Sequence, residues 1–140
     1  MYVILGGAHN GKRAFVKQQI SKFDQQKVHE YDGELPNVKP ARDNEIYIIS
    51  GFEKMIRPHI EQPEELVAQQ IFERIFELAQ TNQVYCICTD TSRGVVPLEK
   101  EARQLRDTCG RLYQMLCAHA TTVTRIWYGI PQQIKGENHG

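Results

Sequence analysis

A charge excess of either sign is missing from this sequence: 17 Lys and Arg balance 17 Asp and Glu over 140 residues. Chains that bind nucleic acid ordinarily carry a basic excess or a basic stripe, so the balance argues against that class of partner. Long apolar runs are missing too. No stretch approaches the roughly 20 residues that span a bilayer. The chain opens on a strand-like segment, Tyr2-Val3-Ile4-Leu5, without the basic, long-apolar, small-residue pattern of a secretory leader. Cysteine is sparse and never spaced as CxxC. Cys86 and Cys88 stand two apart in an apolar strand-like run and so share a face, while Cys109 and Cys117 fall on the apolar side of a helical pattern. No histidines stand at metal-ligand spacing to complete a zinc site. All the cysteines read as small buried side chains in a reducing, cytoplasmic compartment. Repeats, linkers and low-complexity tracts are absent, so residues 1–136 are expected to form one domain and 137–140 a frayed tail.

What is present is an alternation of strand-like and helix-like segments. Strands are expected at 2–5, 27–31, 45–50, 84–89 and 122–128, and helices at 11–22, from Pro63 onward, and at 99–120. Proline suits a helix's first position, and the acids Glu64 and Glu65 complement the positive end of the helix dipole. Val67, Ile71, Ile75 and Leu78 repeat at helical spacing, with Phe72 and Phe76 read as core packing beside them. Residues 32–44, with Gly33, Pro36 and Pro40, read as a loop. Near-continuous apolar strands fit a sheet covered on both faces. The fold class expected is α/β, a P-loop NTPase-like three-layer fold whose mostly parallel sheet is flanked by helices on both faces.

Chemistry concentrates at Gly6-Gly7-Ala8-His9-Asn10-Gly11-Lys12, which fits G-x-x-x-x-G-K between a strand and a helix. Glycines let backbone N–H groups approach phosphate oxygens, the helix N-terminus adds a partial positive charge, and the lysine supplies a full one. Residues 6–13 are therefore candidate nucleotide-binding residues, with Lys12 catalytic and His9 a further donor. Arg13 stands where Ser or Thr would hold Mg²⁺. An arginine cannot ligate a cation, so it contacts phosphate directly or turns to solvent, and any role of Mg²⁺ is weakened. The strand at 45–50 ends in Ser50-Gly51 without an acid, whereas the strand at 84–89 runs into Asp90, the candidate catalytic and metal-organising carboxylate. An Asx-type turn is the plainer reading of Asp90.

On the helix at 99–120, Arg103, Asp107, Gly110 and Gln114 gather opposite the apolar stripe, flanked by Arg106 and Arg111. The face is either solvated, with ion pairs worth tenths of a kcal/mol each, or a subunit or ligand contact. A mid-helix glycine costs about 1 kcal/mol relative to alanine, which favours close approach by something.

The stretch Thr89-Asp90-Thr91-Ser92-Arg93-Gly94-Val95-Val96-Pro97, then Arg103-Gln104-Leu105-Arg106-Asp107-Thr108-Cys109-Gly110-Arg111-Leu112-Tyr113-Gln114, resembles the bifunctional adenosylcobinamide kinase/adenosylcobinamide-phosphate guanylyltransferase family. That family carries Asn-Glu-Val-Gly-x-Gly-Ile-Val-Pro, then Arg-x-x-Arg-Asp-x-x-Gly-Arg-x-Asn-Gln, and opens with Gly-Gly-Ala-Arg-Ser-Gly-Lys-Ser. The ending Trp127-Tyr128-Gly129-Ile130-Pro131 is similar to its last strand and Gly-Ile turn. The resemblance implies ATP or GTP as nucleotide, a corrinoid (cobinamide) acceptor, phosphoryl transfer to the corrinoid's hydroxyl, and a homo-oligomer.

Several positions depart from the family. Asn-Glu becomes Thr89-Asp90, Val-Gly becomes Thr91-Ser92, and the loop serine becomes Arg13. Only residues 21–44 are available for the family's middle portion, so its guanylylated histidine has no clear counterpart. His29 is the nearest candidate and reads more simply as a half-buried strand residue. His59, His119 and His139 read as surface residues. Two readings stay open: an active, shortened cobinamide kinase whose guanylyltransferase activity is lost, or an inactive relative that binds nucleotide or corrinoid.

Overall fold

The computed structural model describes residues 1–7, 11–22, 27–37, 44–90 and 99–136. Strand β1 (Tyr2–Gly7) leads into helix α1 (Lys12–Ile20), then β2 (Val28–Asp32) and β3 (Ile46–Ser50). A short helix α2 (Phe52–Ile56), a 3₁₀ turn (Arg57–His59) and α3 (Glu64–Ala79) return the chain to β4 (Gln83–Asp90). Helix α4 (Lys100–His119) and the strands β5 (Thr122–Trp127) and β6 (Ile130–Lys135) complete it. The strands make one six-stranded sheet in the order β2-β3-β4-β1-β5-β6. All neighbours are parallel except β5 and β6, which form an antiparallel hairpin.

The order follows from burial. Every residue of β3 is buried, as are residues 84–88 of β4, which is the pattern of strands covered on both faces. Side chains alternate across such strands, and two separate cores result. On one face Val3, Tyr47, Ile49, Cys86 and Cys88 pack against α2, α3 and α4 through Phe52, Val67, Ile71, Leu112 and Leu116. On the other, Ile4, Ile48, Tyr85, Ile87 and Ile126 pack against Val16 and Ile20 of α1. The three layers expected from the alternation are therefore present: helix, sheet, helices. Among the described residues no helix is long and apolar enough to cross a membrane.

Three details differ from the sequence reading. Helix α2 and strand β6 were not anticipated. Phe76 is not core: it is 40% exposed, with its ring 5.6 Å from that of buried Phe72 and edge-on to His119 at 5.7 Å. Cys117 is only half-buried, unlike Cys86, Cys88 and Cys109. The tail beyond residue 136 lies outside the described residues.

Candidate functional site

Parallel strands carry all their carboxyl ends to one edge, where open α/β sheets place their ligands. At that edge β1 ends in Gly6 and Gly7, and α1 begins at Lys12 with Gly11 as its N-cap at φ +83. A side chain at Gly6 would put Cβ 2.8 Å from the carbonyl oxygen of Ile126, so only glycine lets β1 lie this close to the end of β5. Ala8, His9 and Asn10 lie outside the described residues.

Lys12 is 6% exposed and donates from Nζ to the carbonyl oxygen of Gly7. Its ammonium thus ties the start of α1 back to the end of β1. Burial pulls the ammonium's pKa below its ordinary value, partly opposed by the nearby Cys88 thiol. A buried cation whose partner among the described residues is a neutral carbonyl is poorly compensated, and an incoming phosphate would compensate it.

The register between β1 and β4 puts Gly7 beside Asp90 and Gly6 beside Thr89. The acid singled out from the sequence therefore stands next to the start of the loop. The end of β4 is held from α4, where the Tyr113 hydroxyl donates to the Thr89 carbonyl oxygen at 3.3 Å and its ring meets Phe52 edge-on at 6.0 Å.

Arg13 is exposed, yet its side chain is also engaged within the fold. Its guanidinium reaches across the edge to β2 and β3, pairing through Nη1 with Glu30 and donating from Nη2 to Ser50 Oγ at 3.3 Å. Asp32 and Lys54 continue this cluster with an ion pair of 2.9 Å. The hydrogen bond from Lys54 holds the Asp32 carboxyl below its ordinary range. Gly51 turns the chain here at φ +71, and an added Cβ would strike Asp32 Oδ1 at 2.2 Å. A groove of about 650 Å³ opens beside Lys54, lined also by Gly33, Leu35, Met55, Ile71 and Arg74, a volume in the small-molecule range.

His29 lies at the opposite end of the sheet. It pairs with Glu45, just before β3, and stacks on Tyr47 at 4.7 Å. The family-like face of α4 is exposed at Arg103, Asp107 and Gln114. Arg106 pairs with Asp107, and Arg111 pairs with Glu64 and Glu65 at the start of α3. Nothing lies within 4 Å of a Cβ added at Gly110. Sequence reasoning missed Glu30, Tyr113 and the pairing partner role of Ser50, because each acts through residues distant in the chain.

Residues 27–134 match the family model described as cobinamide kinase / cobinamide phosphate guanyltransferase. The chain belongs to this family. The match runs from β2 into β6, and the glycine-rich segment after β1 and helix α1 precede it. The family works in cobalamin biosynthesis and salvage as a nucleotide-dependent transferase, with nucleotide and corrinoid substrates. No curated protein matches the chain.

Proposed function

We propose that this family member uses ATP or GTP to phosphorylate the hydroxyl of a corrinoid of the cobinamide type. The observation that carries the reading is the buried Lys12 ammonium, bonded to the carbonyl of Gly7, which lies beside Asp90. In phosphoryl transfer the protein mainly positions the groups and stabilises charge on the transferring phosphoryl oxygens. Lys12 supplies that charge, backbone N–H groups of the loop and of the α1 terminus hold the phosphates, and Asp90 orients the acceptor or a cation.

Guanylyl transfer through a histidine is lost in this reading. His29 is committed to Glu45 and Tyr47 at the wrong end of the sheet. Intact-mass measurement after incubation with GTP is expected to show no adduct. A gain of one GMP, abolished in His29→Ala, contradicts this.

The donor set facing position 13 does not fit Mg²⁺. Where a hydroxyl and an acid would hold the metal, Arg13 and Ser50 stand and touch one another. The nearby carboxylates are already matched, Glu30 by Arg13 and Asp32 by Lys54. Any cation would rest on Asp90 and the nucleotide's own phosphate oxygens. Nucleotide affinity is accordingly expected to change little between Mg²⁺ and a chelator, and Arg13→Ser is expected to raise the Mg²⁺ dependence.

The same Arg13–Ser50 contact favours the second reading, a relative that binds nucleotide without turning it over. Incubation with cobinamide and ATP or GTP, followed by mass spectrometry of the corrinoid, separates the two. The kinase reading expects one added phosphate, absent with Lys12→Ala. Nucleotide binding without product favours the binding module. A homo-oligomer built on the exposed face of α4 belongs to either reading.

A further inference from the structure

We infer that the turn between β5 and β6, carrying Trp127 and Tyr128, is a stacking platform for the base of the nucleotide whose phosphates sit in the loop. The inference rests on the nucleotide reading of that loop. Strand order supplies the direction. The loop grows from β1, and the charged Asp90, Arg13 and Glu30, with the Ser50 hydroxyl, lie on the side of β4, β3 and β2. A nucleotide that presents its terminal phosphate to that side runs its base toward β1's other neighbour, β5. The end of β5 closes on the loop: a Cβ on Gly11 would sit 3.6 Å from Gly129 Cα.

The turn is built unlike a plain hairpin loop. Tyr128 and Gly129 have φ of +50 and +74, the pattern of a type I′ turn, which prefers Asn-Gly or Gly-Gly. A tyrosine there is strained, and residues held in strain cluster at ligand sites. Burial rewards the aromatic rings only in part. Tyr128 is 79% exposed and Trp127 54%, with Arg125 stacked 4.8 Å from the Trp127 ring centroid. A large aromatic beside a phosphate loop, in a conformation it disfavours and with little burial, matches the needs of base stacking, which every base satisfies through its π-face.

The test compares ATP and GTP with inorganic tripolyphosphate, which has the phosphates and no base. Tyr128→Gly removes the ring and relieves the backbone, so a folding defect is not built into the variant. Its affinity for both nucleotides is expected to fall at least about fivefold, with tripolyphosphate affinity unchanged. Trp127, the chain's only tryptophan, is expected to change emission with ATP or GTP and not with tripolyphosphate. Unchanged nucleotide affinity in Tyr128→Gly, or equal loss for all three ligands, overturns the platform while leaving the loop in place. A fall in light-scattering mass without a base-dependent loss gives the turn to a second copy and also overturns it. If the wild type binds none of the three, the loop reading itself falls and the platform with it.

Discussion

In the proposed function, Lys12 trades stability for phosphate binding. Its folded-state pKa lies below the ordinary 10.5 because burial disfavours the charge. The unfolded chain therefore binds the proton more readily, and stability contributed at this position rises with pH through the window below 10.5. Phosphate binding runs the other way, since it needs the ammonium. Nucleotide affinity is expected to fall as pH climbs through the lowered pKa, with proton uptake on binding in that window. Titrations in buffers of different ionisation enthalpy measure the uptake, and Lys12→Met is expected to abolish it. Gly6 gives a purely steric counterpart. An alanine must displace the Ile126 carbonyl or β1 itself, and overpacking of this kind costs about 1–3 kcal/mol. Denaturant unfolding of Gly6→Ala checks that range. The glycines and lysine were legible in the sequence because their roles depend on neighbours a few residues away. The fate of Arg13 was not, because its partners Glu30 and Ser50 stand 17 and 37 residues along the chain.

Among the elements, α4 carries two separable tasks. Its apolar side, through Cys109, Leu112 and Leu116, is core, and periodicity alone reveals it. Tyr113 clamps the end of β4. Removing one hydroxyl that donates at 3.3 Å to the Thr89 carbonyl is expected to lower stability by about 0.5–1.5 kcal/mol in Tyr113→Phe. Thermal denaturation checks that loss, and nucleotide affinity is expected to fall less than in Lys12→Ala. Gly110 has room for a methyl group in the isolated chain, so Gly110→Ala is expected to stabilise it by about 1 kcal/mol. If the Arg103, Asp107 and Gln114 face meets another subunit closely at Gly110, the same substitution weakens assembly, and light scattering against the 16.2 kDa protomer mass reads this directly. A mass that stays at the protomer value in the wild type returns the face to solvent. The two elements missed from the sequence have physical reasons. Helix α2 spans only Phe52–Ile56, too short for periodicity to register. Strand β6 is exposed along its whole length and carries Pro131, so it has neither alternation nor an apolar run to announce it.

At the scale of the whole molecule, the sheet order gathers the groups proposed for recognition at one edge of a small fold. The strand sequence β3-β4-β1-β5 sets Asp90 and the Arg13–Glu30 pair on one side of the end of β1 and exposed aromatics on the other. The fold class was readable from alternation of apolar strands and helices, since burial on both faces of a parallel sheet leaves that pattern. The order of the strands was not readable, because it is decided by which crossover packs where. Family membership rests on residues 27–134, while the nucleotide claim rests on the loop that precedes them, so the loop needs its own test. Calorimetric titration of ATP and GTP into the wild type and Lys12→Ala, at neutral pH and with tripolyphosphate as a third ligand, supplies it. The account predicts saturable binding in the wild type, weakened at least several-fold for every phosphate ligand in the variant, as expected when a charge-assisted phosphate contact is removed. Equal affinity in the two proteins, or no binding in the wild type, contradicts it.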